Sequence, residues 1–145
     1  MKLIVEEDPT RRDEPEIIVR CSSIDAKLRR IIEQIRLYSF ALDAKKDGVA
    51  RKVPLEQILY IEAVQNRTFF YLAGEVLESD LKLYELETLL EGSSFVRIGK
   101  SCILNTSAVR SVSADINGRL IAMLENGERV VISKHYSADF RAKFN

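Results

Sequence analysis

The chain has 145 residues, 46 % of them hydrophobic, which is enough for one compact core but not for two full domains. No stretch approaches the roughly 20 consecutive apolar residues of a membrane helix and the first residues resemble no signal peptide, so we expect a cytoplasmic protein without direct membrane insertion. The 22 basic residues balance 22 acidic ones, which excludes a uniformly basic protein.

The first 45 residues predict a small N-terminal element. Two short apolar runs, residues 2–6 and 16–21, flank a charged segment that contains prolines, and the β-branched residues of the second run favour a strand. We therefore expect a strand pair. Ser22 and Asp25 resemble a capping box, and apolar residues at helical spacing over residues 24–42 predict an amphipathic helix. Its apolar stripe is expected to pack on its own domain or to form part of a dimer interface.

A second region is expected from residue 46 to residue 145, beginning at the turn signal Lys46-Asp47-Gly48. Short strand-like runs with polar or glycine-containing breaks predict a mainly β fold. A short helix over residues 80–90 interrupts them, with Ser79 as its N-cap and Gly92 as its stop. The Asn-Gly pairs at 117–118 and 126–127 predict hairpins. The predicted strands are residues 49–53, 57–64, 68–73, 75–77, 95–98, 102–104, 109–116, 119–124 and 129–133.

Charge is distributed unevenly along this β region. Residues 75–91 are rich in acids and contain one basic residue, Lys82, whereas residues 93–114 contain basic residues and no acid. Residues 129–145 carry the same basic bias. One end of the molecule can therefore be positive although the total charge is zero. A solvated charge pattern without function remains the alternative.

No motif predicts an enzyme. His135 is the only histidine, and the sequence contains no nucleophile elbow, phosphate-binding glycine loop or metal-ligand spacing. Cys21 and Cys102 lie far apart without a C-x-x-C spacing, which indicates reduced, buried thiols. We expect no catalytic residue, no cofactor and no metal.

Four motifs follow one another in a specific order: ILYIE at 58–62, LETLL at 86–90, FVRIGKSCILN at 95–105 and VISKHY at 131–136. In order and spacing they resemble the LytTR family, which has a YIE strand, an L-x-x-L-E helix, an F-x-R-x-x-(K/R)-S-x-(I/L)-(I/V)-N segment and a terminal V-S-(R/K)-x-Y. Each motif alone is weak, but the succession is specific. The resemblance extends over residues 46–145.

The resemblance implies an elongated, mostly antiparallel β fold whose loops, rather than a recognition helix, contact successive major grooves of double-stranded DNA. It places these contacts after the YIE strand and at the basic positions of the two later motifs, which are Asn66 with Arg67, Lys100 and Lys134 here. Such side chains can bind base edges or phosphates. With their motif neighbours, the candidate DNA-binding residues are Asn66, Arg67, Arg97, Lys100, Ser101, Lys134 and His135.

Some motif residues carry alternatives. Lysine at positions 100 and 134 departs from the arginine often found there, which predicts softer sequence readout and more affinity for the DNA backbone. Arg97 is expected either to contact phosphate or to support its loop through a salt bridge. Asn105 and Ser133 are expected to cap turns through their side chains.

Two functions are consistent with the sequence. The first is a sequence-specific transcription regulator that binds paired direct repeats as a dimer, as the family usually does. The second is a regulatory protein-interaction module on the same scaffold, with weak DNA affinity and a membrane or signalling protein as its partner. Because only 45 residues precede the β region, we expect no phosphate-accepting receiver domain.

Overall fold

Ten antiparallel strands in two sheets form the core of the computed structural model, which describes residues 1–145. The larger sheet has seven strands in the order β2-β1-β5-β4-β3-β7-β6, and the smaller has three in the order β10-β9-β8. The elements are α1 (Ala26–Ser39), β1 (Ala41–Lys46), β2 (Val49–Pro54), β3 (Tyr60–Val64), β4 (Arg67–Tyr71), β5 (Val76–Ser79), α2 (Leu83–Leu89), β6 (Phe95–Gly99), β7 (Cys102–Asn105), β8 (Val109–Ala114), β9 (Leu120–Leu124), β10 (Arg129–Ile132) and α3 (Ser137–Phe144).

The two central strands β3 and β7 contribute side chains to two separate cores. Ile61 and Ile103 lie in a core that the larger sheet forms with α1 and α2, whereas Leu104 lies in a core with the smaller sheet and α3. This division follows from the alternation of side chains along a strand. Phe140 of α3 is fully buried in the second core. The mainly β prediction with short helices is therefore confirmed.

The predicted strand pair in the N-terminal segment is wrong. Residues 2–6 and 16–21 form no strand, and their side chains are exposed. A pair of strands that packs against no other element is at best marginally stable in water, so β propensity alone does not form it. The first strand of the structure is instead β1, which pairs with β2 from Ala41↔Pro54 to Lys46↔Val49. The expected division after residue 45 falls inside this strand.

The helix α1 is present but shorter than the apolar pattern predicted. Asp25, not Ser22, is its N-cap, because the Asp25 carboxylate accepts a hydrogen bond from the Leu28 N–H at 2.8 Å. Leu37 is buried in the first core, and the buried Glu33 forms an ion pair with Lys143 of α3 at 3.3 Å. Tyr38, by contrast, is 70 % exposed. The helix therefore packs on its own domain with only part of its stripe.

The second helix also begins later than predicted. The Ser79 hydroxyl accepts a hydrogen bond from the Leu81 N–H at 3.1 Å and closes a turn before the helix. The N-cap is Lys82, whose N–H donates to the Glu85 carboxylate at 3.0 Å. The helix α3 was not predicted, because it has only eight residues; its Phe140 and Phe144 lie about one turn apart and both pack in the second core. None of the three helices has the length and apolar composition that crossing a bilayer requires.

Candidate nucleic-acid interface

The turn between β3 and β4 consists of Gln65 and Asn66. Both residues have positive φ, +51° and +64°, as in the two-residue turns that match the twist of a hairpin. Asparagine tolerates this left-handed conformation better than most residues. Both side chains are exposed at the end of the larger sheet. The backbone thus presents the Asn66 amide beyond the last strand pair, Val64↔Arg67.

The turn between β6 and β7, at Lys100 and Ser101, lies beside the first turn. The Ala63 N–H donates a hydrogen bond to the Ser101 carbonyl at 2.8 Å, and Glu62 pairs with Cys102 in the strand register. Lys100 and Ser101 are exposed. Lys100 takes part in no ion pair. A free ammonium group therefore stands next to the Asn66 turn.

The segment after β10 joins the same end of the molecule. The Ser133 N–H donates to the Ile98 carbonyl at 2.9 Å, which places the following residues beside the end of β6. Lys134 and His135 are exposed, and Lys134 also lacks an ion pair. The His135 ring makes an edge contact with Tyr136 at a centroid distance of 4.9 Å. The structure thus brings together Asn66, Lys100, Ser101, Lys134 and His135 in three neighbouring loops, which we call the loop end.

Arg97 is partly buried and bonds to its own loop and to α2. Its Nη1 lies 2.6 Å from the Glu87 carboxylate of α2, its Nε donates to the Gly99 carbonyl at 2.7 Å, and its Nη2 donates to the Lys100 carbonyl. The side chain is 23 % exposed. Of the two roles considered for Arg97, this geometry favours loop support over phosphate contact.

Arg67 is also engaged within the protein. Its Nε and Nη2 donate to the two carboxylate oxygens of Glu78 at 3.0 and 2.8 Å, and its guanidinium lies 5.2 Å from the centre of the Phe69 ring. The hydrogen bonds with Glu78 raise the pKa of Arg67, and the same bonds lower the pKa of Glu78. Forked recognition of a guanine by Arg67 would require this ion pair to open.

Lys82 is a member of the loop end that the sequence patterns did not identify. Its Nζ donates to the Asn66 carbonyl at 3.4 Å, its side chain is exposed, and it takes part in no ion pair. The available signal was that Lys82 is the one basic residue in an acidic segment. Four acids of that segment are paired elsewhere, including Glu75 with Arg51 at 2.8 Å and Asp80 with Lys45 at 2.9 Å, whereas Glu85 and Glu91 form no ion pair.

Of the two residues predicted to cap turns through their side chains, Asn105 does so and Ser133 does not. The Asn105 side chain accepts from the Ser94 hydroxyl and the Ser107 N–H at 2.7 and 3.0 Å, and donates to the Ile58 carbonyl at 2.9 Å. The Ser133 hydroxyl caps no turn and is buried without a hydrogen-bond partner. The prediction for Ser133 was therefore wrong, because the backbone alone makes its loop contacts.

The two cysteines differ from each other. Cys102 lies largely within the second core, and burial raises the pKa of its thiol to about 12. Cys21 is exposed, so the prediction of two buried thiols holds for only one of them. Neither forms a disulfide. Burial thus favours the protonated form of the thiol near the loop end.

Comparisons with known proteins agree on one family. The LytTR family, described as LytTr DNA-binding domain, matches residues 49–145. The sensory transduction protein LytT of Enterococcus faecalis is 26 % identical over 86 residues, which are 59 % of this chain and 36 % of that protein. This chain thus spans about a third of the length of that relative.

A solved structure has the same fold. It is the LytTr DNA-binding domain of a Bacillus cereus protein described as a methyl-accepting/DNA response regulator, and it matches with a TM-score of 0.68 at 26 % identity. The match covers 74 % of this chain and 98 % of that one. The four motifs lie on β3, on α2, on β6 with β7, and at the end of β10. Because the family match covers well over half of the sequence, the chain belongs to the LytTR family of DNA-binding domains.

Proposed function

We propose that the protein is a transcription regulator that binds specific double-stranded DNA sequences through the loop end. The observation that supports this most is the convergence of Asn66, Lys100 and Lys134 on neighbouring loops, with both lysines free of ion pairs. Amide and ammonium groups without internal partners can exchange water for base edges and phosphates at little cost. Such a local contact does not require the rest of the protein surface to carry a net positive charge.

The order of the loops suggests how they lie on the duplex. The Asn66 turn adjoins the Lys100 turn, and the Lys134 loop lies on the far side of β6. We propose that the two outer loops enter successive major grooves and that Lys100 contacts the DNA between them. We further propose that Ser101 and His135 contact phosphates and that Lys82 adds a further charge beside Asn66. Arg97 supports the Lys100 turn, and Arg67 contributes only when its bond to Glu78 opens.

The number of copies on DNA is inferred from the way in which the family usually binds. We propose that two copies bind paired direct repeats, each with one loop end. No described helix is long enough to form a lasting coiled coil, so pairing is expected to depend on the DNA. Sedimentation of the free protein should give a monomer or a weak dimer, and sedimentation with a two-repeat duplex should give two copies on one DNA molecule. A stable tetramer without DNA would contradict this proposal.

The proposal is tested by selecting duplexes from a random pool with the unmodified protein and then measuring the affinity of variants for the selected duplex. Lys100→Ala and Lys134→Ala should each weaken specific binding by about 1–3 kcal/mol. Lys27→Ala is the matched control, because Lys27 is an exposed, unpaired lysine on α1, outside the loop end. If neither loop variant loses affinity at physiological salt, DNA binding by the loop end is wrong, and a protein partner becomes the better proposal.

A further inference from the structure

A fourth turn projects from the loop end, between β8 and β9. In the smaller sheet, Leu120 pairs with Ala114 on one side and with Ile132 on the other. The turn before Leu120 and the segment after Ile132 therefore leave the sheet at the same end. A Cβ added at Gly118 would lie 3.6 Å from Cδ and Cε of Lys134. The stem of Lys134 thus runs along this turn, which is continuous with the proposed DNA surface.

The tip of this turn carries an isoleucine with no contact in the protein. Ile116 is 101 % exposed, the highest value among the large hydrophobic residues. Turns usually have polar residues at such positions, because a solvated apolar side chain gains nothing from folding. A single exposed isoleucine needs no explanation by itself. Here, however, the turn that carries Ile116 lies along the Lys134 side chain at Gly118.

Hydrogen bonds hold the turn in one conformation. One Asp115 carboxylate oxygen accepts from the N–H groups of Asn117 and Arg119 at 2.9 and 3.0 Å, and the other accepts from the Arg119 Nε at 2.9 Å. Gly118 has a φ of +80°, which a side-chain-bearing residue rarely adopts. Both charges of the turn are therefore neutralised within it. Ile116 and Asn117 remain as its outward-facing uncharged side chains.

We propose that this turn is a fourth DNA-contacting element and that Ile116 recognises the 5-methyl group of thymine in the major groove beside Lys134. Apolar contact with this methyl group is the means by which aliphatic side chains distinguish thymine from cytosine. The inference rests on the proposed function, since Ile116 reaches bases only if the loop end binds DNA. It adds a source of specificity that lysine contacts do not supply.

The test uses a duplex selected by the unmodified protein and a set of derivatives in which single thymines are replaced by deoxyuridine, which removes only the methyl group. The unmodified protein should lose affinity about threefold to fivefold at one or two positions per repeat, the effect of one methyl contact. Ile116→Ala should bind the parent duplex weaker by the same factor and show no further loss at those positions. The control is Val49→Ala, which alters another exposed apolar residue. Val49 lies in the larger sheet, at the end opposite the loop end, so this variant should retain the full deoxyuridine effect.

The outcomes separate this inference from the function on which it rests. If no duplex is enriched, both are wrong. If a duplex is enriched and Lys100→Ala weakens its binding, while Ile116→Ala keeps the deoxyuridine sensitivity of the unmodified protein, the inference alone is overturned. The same holds if no thymine in the selected site depends on its methyl group. Because Ile116 makes no packing contact, the thermal unfolding of its variant should match that of the unmodified protein.

Discussion

Asn105, the last residue of the central family motif, connects three parts of the chain through one side chain. It bonds to the Ser94 hydroxyl, to the Ser107 N–H and to the Ile58 carbonyl, and it is 1 % exposed. The sequence predicted a structural role from the residue type, since asparagine often caps turns. It did not reveal the link to Ile58, because that carbonyl lies 47 residues away in sequence.

Replacing this side chain should strongly affect stability. Asn105→Leu leaves the Ile58 carbonyl and the Ser107 N–H without their partner in a buried site, so the free energy of unfolding should fall by about 2–4 kcal/mol. Urea denaturation followed by circular dichroism measures the change. Asn117→Ala, at an exposed turn where only the backbone N–H is bonded, serves as the control and should change it by less than about 0.5 kcal/mol. Equal midpoints for both variants would contradict the assignment.

Glu75 gives the stability a predictable pH dependence. The Arg51 guanidinium, together with the Lys46 ammonium, holds the pKa of the Glu75 carboxyl at about 2, below its ordinary value of 4.5. A lowered pKa in the folded state means that this carboxylate stabilises the fold above pH 4.5 and loses its contribution as the pH falls from 4.5 to 2. Glu75→Gln should therefore lose less stability than the unmodified protein between pH 6 and pH 3. Urea denaturation midpoints at pH 6 and pH 3 measure this loss of stability. Glu14→Gln, which removes an unpaired carboxylate, is the control.

At the scale of elements, the β part of the fold was predictable because its signals are local. Alternating apolar residues indicated the strands, and the Asn-Gly pairs correctly indicated the hairpins β8–β9 and β9–β10. The strand β1 was missed because its alternating residues, Leu42 and Ala44, directly follow a helix and the first of them fitted the helical pattern. Whether a segment finds a partner strand is a property of the assembled sheet.

The helix α1 and the segment before it should contribute unequally to stability. Leu37→Ala removes a buried side chain from the first core, so unfolding should become easier by about 2–5 kcal/mol. Deletion of residues 1–15 removes only exposed side chains and should leave the urea midpoint unchanged. A large effect of the deletion would mean that the segment packs on the domain after all.

Arg97 links α2 to the β6–β7 turn, and its contribution to DNA binding should be indirect. Arg97→Ala frees the Lys100 turn, which should weaken specific binding while the salt dependence stays the same, because no phosphate contact is lost. Glu87→Gln should have a smaller effect, at most about 1 kcal/mol, since the pair is partly solvated. Titrations at several salt concentrations measure both quantities. A salt slope reduced by about one in Arg97→Ala would instead identify a direct phosphate contact.

For the whole molecule, the relevant property is where unpaired charge lies. Lys82, Lys100 and Lys134 are free at the loop end, although the net charge is zero. If each binds one phosphate, the logarithm of the association constant should fall with the logarithm of salt concentration with a slope of about −3 per copy. The triple alanine variant should show almost no slope. The sequence identified Lys100 and Lys134 by motif, but not Lys82, because its proximity to Asn66 arises only when β4 and β5 pair.

The continuous hydrogen bonding from β4 through β3 and β7 to β6, and from Ile98 to Ser133, also fixes the distances between the loops. A ladder of this kind cannot lengthen without breaking backbone hydrogen bonds, whereas domains on flexible linkers adjust to their targets. One base pair inserted between the two segments bound by the outer loops shifts them apart by about 3.4 Å along the duplex and also rotates one against the other. A single insertion within a repeat should therefore weaken binding more than any single base substitution there, while insertions between repeats are limited only by how two copies meet.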